Sequence, residues 1–290
     1  MRLSLLGVGL IGGSIARSVR GSTTADAVAD AASVDIVGWT PSGAGAQAAK
    51  AAGVVDEVAR DLRSAIGGAD LIVIAAPPLA CLELVDAIGE MSALAATALV
   101  TDVASTKRAI VERAAAAGIP FVGGHPMAGR ETTGFEASSD DLFAGRPWVL
   151  VEGPTSPRDG VERVERLVRW CGATPLEMTA AEHDDAVAAV SHMPLVLSAA
   201  LAEAVAGGEG WRSAGPLAAS GWASMTRLAR GDPEMGAGIL ATNRRPLAEQ
   251  LGRLRGVLEA WESDVDRGDP VQLEERLESV RRLLRDLETP

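Results

Sequence analysis

A glycine-rich turn near the N-terminus constrains the fold more than any other feature of the chain. Residues 2–6 form a short apolar run typical of a buried strand, residues 7–14 follow as GVGLIGGS, and a helical pattern extends from about Leu10 to Arg20. In a G-x-G-x-x-G turn of this kind, the first glycine makes the tight turn, the second admits a pyrophosphate and the third packs the helix on the strand. A purely structural turn in an alanine-rich chain is the alternative. We favour a dinucleotide site and expect cofactor contacts at Gly7, Gly9, Leu10, Ile11 and Gly12.

Apolar runs alternate with helical segments as far as residue 178. Further runs lie at 34–39, 69–78, 97–103, 119–124, 146–153 and 174–178. Runs without polar alternation suit a sheet that is covered on both faces, and alternation with helices indicates a mostly parallel sheet. After about Thr179 only helical patterns remain. We predict an α/β protein in which a Rossmann-like, mostly parallel sheet domain at 1–178 precedes an all-helical domain at 179–290.

The charge balance narrows the class of partner. The net charge of −12 argues against nucleic acid, because neutralising phosphates needs a basic face. No uninterrupted apolar stretch of about eighteen residues is present, and the N-terminus is too short and too glycine-rich for a signal peptide, so neither a membrane span nor export is expected. Cys81 and Cys171 are expected to be reduced, buried thiols of a cytoplasmic protein.

The end of the second predicted strand bears on the choice of cofactor. The dinucleotide fingerprint usually has an acidic residue there to bind the ribose hydroxyls, and this chain has Thr40 in that place. The missing carboxylate would admit the 2′-phosphate of NADP, yet no arginine follows at 41–45 to bind it. The residues leave NAD and NADP open. Thr40 and Pro77, which stops the run at 69–78, are further expected cofactor contacts.

Two polar residues are expected at the carboxyl edge of the sheet, where ligands bind. Ser105 follows the run at 97–103, and His125 follows the run at 119–124. His125 is a candidate general base, with Ser105 orienting either the histidine or the substrate. Alternatively, Ser105 is the N-cap of a helix over 106–117.

The other two histidines lie in the first helical segment after residue 178. Pro194 cannot donate to the carbonyl of Val190, so the helix should kink or open beside His192. His192 then either contacts a ligand or is a core histidine whose hydrogen bonds are made by the loosened backbone. His183 precedes it by nine residues, which predicts the opposite helical face and a structural role. No metal site is predicted.

The chain resembles the prephenate/arogenate dehydrogenases of tyrosine biosynthesis across nearly its whole length. The motifs that carry the resemblance are GVGLIGGS (7–14), TDVASTK (101–107), GGHPMAGRETTGFEAS (123–138), EHDDAVAAVSHMP (182–194) and TRLA (226–229). The combination of HPMAG with a later SHMP is specific. Related two-domain dehydrogenases often use a catalytic lysine in the helical half, whereas this chain has no lysine after Lys107.

The resemblance implies a role for each of four residues. His125 accepts the proton of the C4 hydroxyl of a cyclohexadienyl carboxylate, and Ser105 bridges that hydroxyl and the histidine. His192 lines the site between substrate and nicotinamide, and Arg227 binds a substrate carboxylate. The implied reaction is the oxidative decarboxylation of prephenate to 4-hydroxyphenylpyruvate, or of arogenate to tyrosine. The resemblance slightly favours NAD over NADP, and it implies a homodimer through the helical domain.

Departures from the family pattern leave alternatives open. Leu195 stands where many prephenate-specific members have a histidine, so the choice between prephenate and arogenate is open, and so are the roles of Arg130 and Glu131. An amino analogue, 4-amino-4-deoxyprephenate, is an alternative substrate, and a non-catalytic dinucleotide-binding sensor is an alternative function. The resemblance includes no ACT regulatory domain, so feedback control through one is not expected.

Overall fold

One sheet of eight strands organises the first part of the chain. The computed structural model describes residues 1–21, 34–91, 93–130 and 132–288. The strands are β1 Arg2–Leu6, β2 Asp35–Trp39, β3 Glu57–Val58, β4 Leu71–Ile74, β5 Leu99–Asp102, β6 Phe121–Pro126, β7 Pro147–Glu152 and β8 Thr174–Glu177. They lie in the order β3-β2-β1-β4-β5-β6-β7-β8, and every neighbouring pair is parallel except β6 and β7. The predicted mostly parallel, Rossmann-like sheet is confirmed.

Helices cover the sheet and make up the rest of the chain. In the first part they are α1 Leu10–Gly21, α2 Ala44–Ala51, α3 Leu62–Ile66, α4 Pro78–Met91, α5 Arg108–Ala116 and α6 Gly160–Trp170. The later ones are α7 Ala180–Val187, α8 Met193–Ala206, α9 Trp211–Ala214, α10 Ser220–Met225, α11 Pro233–Thr242, α12 Arg244–Arg267 and α13 Pro270–Glu288. One π-helical turn covers Ala188–His192, and short 3-10 turns lie at Phe135–Ala137, Gly215–Leu217 and Leu228–Arg230. A helical segment therefore follows the sheet, as predicted.

The central strands of the sheet are buried on both faces. Along β4, Leu71 and Val73 belong to one hydrophobic cluster, and Ile72 and Ile74 belong to the cluster on the other face. Because both faces are covered, the strand has no polar alternation, which is the pattern that predicted it. The apolar run at 69–78 is not all strand, since Pro78 begins α4. Proline suits a first helical turn, where its missing N–H breaks no helical hydrogen bond.

Two compact units divide the chain, Met1–Arg244 and Arg245–Pro290. The sheet ends at Glu177 and the helices continue from Ala180, so a domain boundary at residue 178 stays a prediction. Within the second unit, Gly268 ends α12 with φ of +65°, and Asp269 Oδ1 accepts the N–H of Val271 at the start of α13.

Both cysteines are buried free thiols, as predicted. Burial raises the pKa of Cys81 and of Cys171, so neither favours the thiolate.

Candidate active site

The glycine-rich turn joins β1 to α1 and packs on the end of β4. Gly7 has φ of +108°, and a Cβ on it would lie 2.1 Å from the carbonyl oxygen of Ala75. A Cβ on Gly12 would lie 1.9 Å from the carbonyl oxygen of Gly7, so packing requires both glycines. A Cβ on Gly9 would meet no described atom within 4 Å, so packing does not explain that glycine. The close approach of a pyrophosphate to the backbone does explain Gly9, so the turn fits a dinucleotide.

The other predicted cofactor contacts follow neighbouring strands of the sheet. Leu10 and Ile11 form the first turn of α1, and Pro77 directly precedes α4; all three are half-buried. Thr40 follows β2, and its buried Oγ1 has no hydrogen-bond partner among the described residues. A buried hydroxyl without a partner is costly, which fits a site where ribose oxygens would complete its hydrogen bonding.

A buried carboxylate at the end of β5 holds the neighbouring loop and β6 together. Asp102 accepts the N–H of Ala104 through Oδ2 and the N–H of Gly124 through Oδ1, both at 3.0 Å. Lys107 Nζ donates to Oδ2, and both side chains of this ion pair are fully buried. The loop that carries Ser105 is therefore pinned to the sheet at both of its ends.

His125 lies inside β6 rather than after it. The prediction that this strand ends at residue 124 is wrong, because pairing with antiparallel β7 continues beyond the last contact with β5 and places His125 opposite Val149. Gly124 lets β6 pass close to the loop after β5. A Cβ on Gly124 would lie 2.5 Å from the carbonyl oxygen of Asp102, so this step of the GGHP motif must be glycine.

Hydrogen bonds connect His125 to His183 and His183 to Asp184. His125 Nδ1 lies 2.8 Å from His183 Nε2, and His183 Nδ1 lies 2.8 Å from Asp184 Oδ1. An ionised carboxylate can only accept, so His183 carries its proton on Nδ1. A neutral His183 then accepts at Nε2 from the Nδ1–H of His125. This order of protons leaves the lone pair of His125 on Nε2, as a general base requires.

The surroundings of these groups keep Asp184 charged and His125 neutral. Burial raises the pKa of Asp184, but hydrogen bonds from His183 and from the main-chain N–H groups of Lys107 and Arg108 outweigh burial and lower it. Burial lowers the pKa of His125 well below its ordinary value of 6.5, and the neighbouring His183, Lys107 and His192 add to this shift. The ring is thus neutral, and its Nε2 is able to accept a proton at neutral pH.

Asp184 also caps the helix that follows Ser105. Its Oδ1 accepts the N–H of Lys107 at 2.8 Å, and its Oδ2 accepts the N–H of Arg108 at 3.0 Å. The N-cap position of α5 is Lys107, so the alternative that Ser105 caps this helix is wrong. The sequence could not show this, because the capping carboxylate comes from a helix more than seventy residues later.

A capping box fixes the start of the helix that carries His183. Thr179 Oγ1 accepts the N–H of Glu182 at 3.2 Å, and the Glu182 carboxylate accepts the N–H of Thr179 at 2.9 Å. This reciprocal pair satisfies two main-chain donors at the helix start. His183 is therefore held in the first turn of α7, facing β6.

His192 lies at the end of the π-helical turn, five residues after α7 ends. The N–H of Met193 bonds to the carbonyl of Ala188, a π-helical bond next to Pro194, so the predicted opening of the helix is confirmed. A π-helical turn holds more residues than an α-helical one, so the phase between His183 and His192 differs from the half turn expected of a regular helix. His183 bonds to the Asp184 carboxylate, and His192 contacts Asn243, which bonds to the Asp184 carbonyl, so both histidines lie on the side of the helix that carries the site.

Asn243 connects His192 to Asp184. Its Nδ2 donates to the Asp184 carbonyl oxygen at 2.7 Å and lies 3.1 Å from His192 Nδ1. Burial lowers the pKa of His192 to about 4, and its buried Nε2 has no partner in the part of the chain that the structure describes. Pro246 has no N–H to donate to the carbonyl of Thr242, which explains why the helical run is interrupted at Asn243.

Ser105 and Arg227 are less buried than the three histidines. Ser105 is half-buried in the loop after β5, and its main chain lies close enough to the His192 ring to influence its pKa. Arg227 is exposed at the start of a 3-10 turn. That turn is tied to α8, since the N–H of Ala229 donates to Ser198 Oγ at 3.0 Å. The structure thus gathers all three histidines with the Ser105 loop, and it joins Arg227 to the helix that follows His192.

Arg130 shapes the loop after β6. Its guanidinium donates to Ser139 Oγ at 3.0 Å and to the Ala137 carbonyl oxygen at 3.4 Å, and it lies 3.7 Å from the Asp141 carboxylate. Glu131 lies outside the described residues. Arg130 therefore has a structural explanation within its own loop.

Sequence reasoning missed Asp102, Asp184 and Asn243 as members of the site. Asp184 directly follows His183, and an acid beside a histidine was a signal that could have been read. Asn243 gave no signal, since its partners come from another helix. In the described ranges no cluster of three or more His, Cys, Asp or Glu side chains is arranged to hold a metal ion.

Family comparisons match both parts of the chain. Residues 25–176 match the model for the nucleotide-binding domain of prephenate dehydrogenase, and residues 179–279 match that for the dimerization domain of prephenate dehydrogenase. The chain is 30% identical to the prephenate dehydrogenase of Bacillus subtilis (strain 168) over 91% of this chain and 68% of the relative.

Solved structures share the fold over the full length. The arogenate dehydrogenase of Synechocystis superposes with a TM-score of 0.81 and 29% identity, covering 99% of this chain and 100% of that one. The prephenate dehydrogenase of A. aeolicus, solved with hydroxyphenyl propionate and NAD⁺, gives a TM-score of 0.88 at 24% identity, covering 99% of this chain and 98% of that one. At that identity the second likeness speaks to the fold alone.

Proposed function

The chain belongs to the prephenate dehydrogenase family and is an NAD(P)-dependent oxidoreductase. On this premise we propose that it oxidatively decarboxylates prephenate or arogenate in tyrosine biosynthesis, with His125 as the group that moves the proton. The observation that carries the proposal is the hydrogen-bond chain from Asp184 through His183 to His125. It leaves His125 Nε2 unprotonated, where an incoming hydroxyl could donate.

The chemistry needs one proton to be managed while the ring becomes aromatic. A bound nicotinamide dinucleotide would accept the hydride from C4 of the substrate. His125 Nε2 takes the C4 hydroxyl proton as the hydride leaves. The bond to the ring carboxylate breaks, CO₂ departs, and its electron pair enters the ring. His125 then returns its proton to the phenol oxygen, so that the reaction releases no net proton.

The neighbours of His125 support each state of this cycle. Its Nδ1–H stays bonded to His183 throughout, which fixes the ring while Nε2 gains and loses the proton. The ionised Asp184 stabilises the positive charge that the two rings share after proton transfer. Ser105, on the loop that Asp102 pins, orients the hydroxyl. Aromatisation supplies the driving force, so positioning is the main contribution of the protein.

The substrate carboxylate and the cofactor ribose have candidate partners as well. Arg227 would bind a carboxylate through its planar fork of donors. The unpartnered Thr40 Oγ1 supports a hydrogen bond to the adenosine ribose. We favour NAD, since residues 41–45 include no arginine that could bind a 2′-phosphate.

A homodimer through the helical half is part of the proposal. The helical segment Ala180–Ala206 is long and apolar enough to cross a membrane by length and composition alone. Only 22% of its most apolar window is buried, so this segment leaves apolar surface uncovered. It also holds His183, Asp184 and His192, which are tied into the site. Val190 is 73% exposed and Leu217 is 82% exposed. We propose that a second copy covers this surface, in keeping with the matched dimerization domain.

A cytoplasmic location stays a prediction.

The proposal is tested by mixing the protein with prephenate or arogenate and with NAD⁺ or NADP⁺, and by following the absorbance of the reduced nicotinamide. We expect the nicotinamide to be reduced in at least one of the four mixtures, and the mixture with the fastest reduction identifies the substrate and the cofactor. Reduction only with 4-amino-4-deoxyprephenate would replace the substrate. No reduction with any of the three would favour a non-catalytic sensor. Light scattering measures the oligomeric state.

A further inference from the structure

Asn243 faces His192 with a group that can only donate. The Asp184 carbonyl oxygen is an acceptor, and it lies 2.7 Å from Asn243 Nδ2. This contact fixes the orientation of the amide, because the amide oxygen in that place would meet another oxygen. The second hydrogen of the same NH₂ group is then available to His192 Nδ1 at 3.1 Å.

The amide dictates which nitrogen of His192 carries a proton. An NH₂ group has no lone pair to offer, so the Asn243 contact is a hydrogen bond only if His192 Nδ1 is unprotonated. A neutral His192 must then carry its proton on Nε2. Both side chains are buried, His192 at 1% and Asn243 at 2% exposure, so water cannot easily replace either partner.

His192 Nε2 is the end of this arrangement that lacks a partner. It is buried and makes no hydrogen bond with any described residue. Buried polar atoms are nearly always satisfied, and one without a partner at a ligand site calls for an explanation. The main chain of Ser105 lies beside the same ring, so His192 borders the Ser105 loop.

We propose that Asn243 is a positioning residue that fixes His192 as the Nε2–H tautomer, so that Nε2–H donates to a carbonyl or carboxylate oxygen of the bound substrate. The choice of a substrate oxygen rests on the proposed function, whereas the tautomer does not. His192 is thereby a donor while His125 is an acceptor. The two histidines therefore recognise different ligand groups. His125 accepts a hydrogen bond from a hydroxyl, and His192 donates one to an oxygen that has no proton.

The tautomer can be read directly by nitrogen-15 NMR on the protein with labelled histidine, without substrate, at neutral pH. The chain has three histidines, so His192→Gln assigns the signal by its loss. We expect an unprotonated Nδ1 and a protonated Nε2. A protonated Nδ1, or a doubly protonated ring, overturns the proposal.

Substitutions of Asn243 test the cause. Asn243→Asp replaces the donor with an acceptor of the same shape, and we expect the His192 proton to appear on Nδ1. Asn243→Leu keeps similar volume and removes the donor, and we expect the two tautomers to mix. Thr242→Val is the matched control at the end of the same helix, because it removes a hydroxyl that bonds to Thr106 and leaves His192 untouched; its tautomer should match the wild type. An unchanged Nε2–H tautomer in both Asn243 variants would refute the assigned role.

Activity then separates this inference from the proposed function. We expect kcat/KM of Asn243→Asp to fall about tenfold, the loss of one neutral hydrogen bond. If Asn243→Asp does not fold, the wild-type spectrum and Asn243→Leu decide the matter. A wild type with the expected tautomer but without any dehydrogenase activity would refute the function and not the tautomer. A normal kcat/KM in a variant whose tautomer has changed would refute the donor role of His192.

Discussion

His125 Nδ1 lies 2.8 Å from His183 Nε2, and this contact joins the end of a strand to a helix 58 residues later. His183 connects in turn to the Asp184 carboxylate, which receives the first two N–H groups at the start of α5. The acid–base group, its partner histidine and the loop of Ser105 are therefore positioned by one carboxylate. A residue expected to be structural from its helical phase is instead the group that orients His125.

Replacing His183 should impair catalysis without removing the cofactor site. His183→Leu leaves the Nδ1–H of His125 without an acceptor and frees the ring to rotate or change tautomer. We expect kcat to fall by about 10- to 100-fold, the size of the loss when the hydrogen-bond partner of a metal-bound histidine is removed. His183→Gln can still accept from His125 and should recover part of the loss. Equal kcat values for His183→Leu and the wild type would contradict a role of His183 in orienting His125. The Kd of reduced nicotinamide should stay near the wild-type value.

The depressed pKa of His125 predicts that activity persists into mildly acidic solution. A general base must be unprotonated, and this ring stays neutral as the pH falls through 6.5. We expect kcat/KM to be constant from neutral pH to below 6.5 and to decline only at lower pH. An acid limb with its midpoint at or above 6.5 would show that His125 is not buried as described.

The same shift predicts the direction in which stability changes with pH. A histidine whose pKa is lowered in the folded state binds fewer protons when the protein is folded than when it is unfolded. Protonation therefore favours the unfolded state at any pH below the unfolded pKa, and it has no effect on the free energy of unfolding above that pKa. Stability should fall as the pH drops below 6.5, and the part due to His192 extends to about pH 4. Urea unfolding at a series of pH values measures this. His192→Gln should show a shallower decline, and a decline as steep as that of the wild type would remove His192 as a cause.

Asp184 should matter for stability as well as for turnover. Asp184→Asn replaces one accepting oxygen with an amide that opposes main-chain N–H groups or the His183 ring. We expect a loss of about 1–3 kcal/mol in the free energy of unfolding and a fall in kcat, because His183 can take the wrong tautomer. The neighbouring Asp185 is exposed, so Asp185→Asn is the control and should change stability by about 0.5 kcal/mol or less. Similar losses in both variants would argue against the cap.

The buried ion pair between Lys107 and Asp102 offers a test with an internal control. Lys107→Met leaves the Asp102 carboxylate in the core without its cation, and removing one partner of a buried pair costs about 3–5 kcal/mol. The other lysine in the chain, Lys50, is exposed, and Lys50→Met should cost about 1 kcal/mol or less. Denaturant unfolding measures both. A small effect of Lys107→Met would mean that the pair does not hold the Ser105 loop.

Local patterns in the sequence predicted the sheet and the edge at which the site lies. The buried strands had no polar alternation, the glycine-rich turn followed β1, and Pro194 predicted the open helix beside His192. Contacts between distant segments could not be predicted in this way. The Asp184 cap on α5 and the Asn243 contact each depend on packing between elements far apart in the chain. The extension of β6 through His125 depends on β7, which the apolar run alone could not reveal.

The role of His125 is tested most directly by His125→Asn. This variant should fold and bind reduced nicotinamide with a Kd near that of the wild type, because the glycine-rich turn and Thr40 are unchanged. Its kcat with the preferred substrate should fall by about 10²–10⁴-fold, the usual contribution of a positioned acid–base group. A folded His125→Asn variant with near-normal kcat would contradict the account.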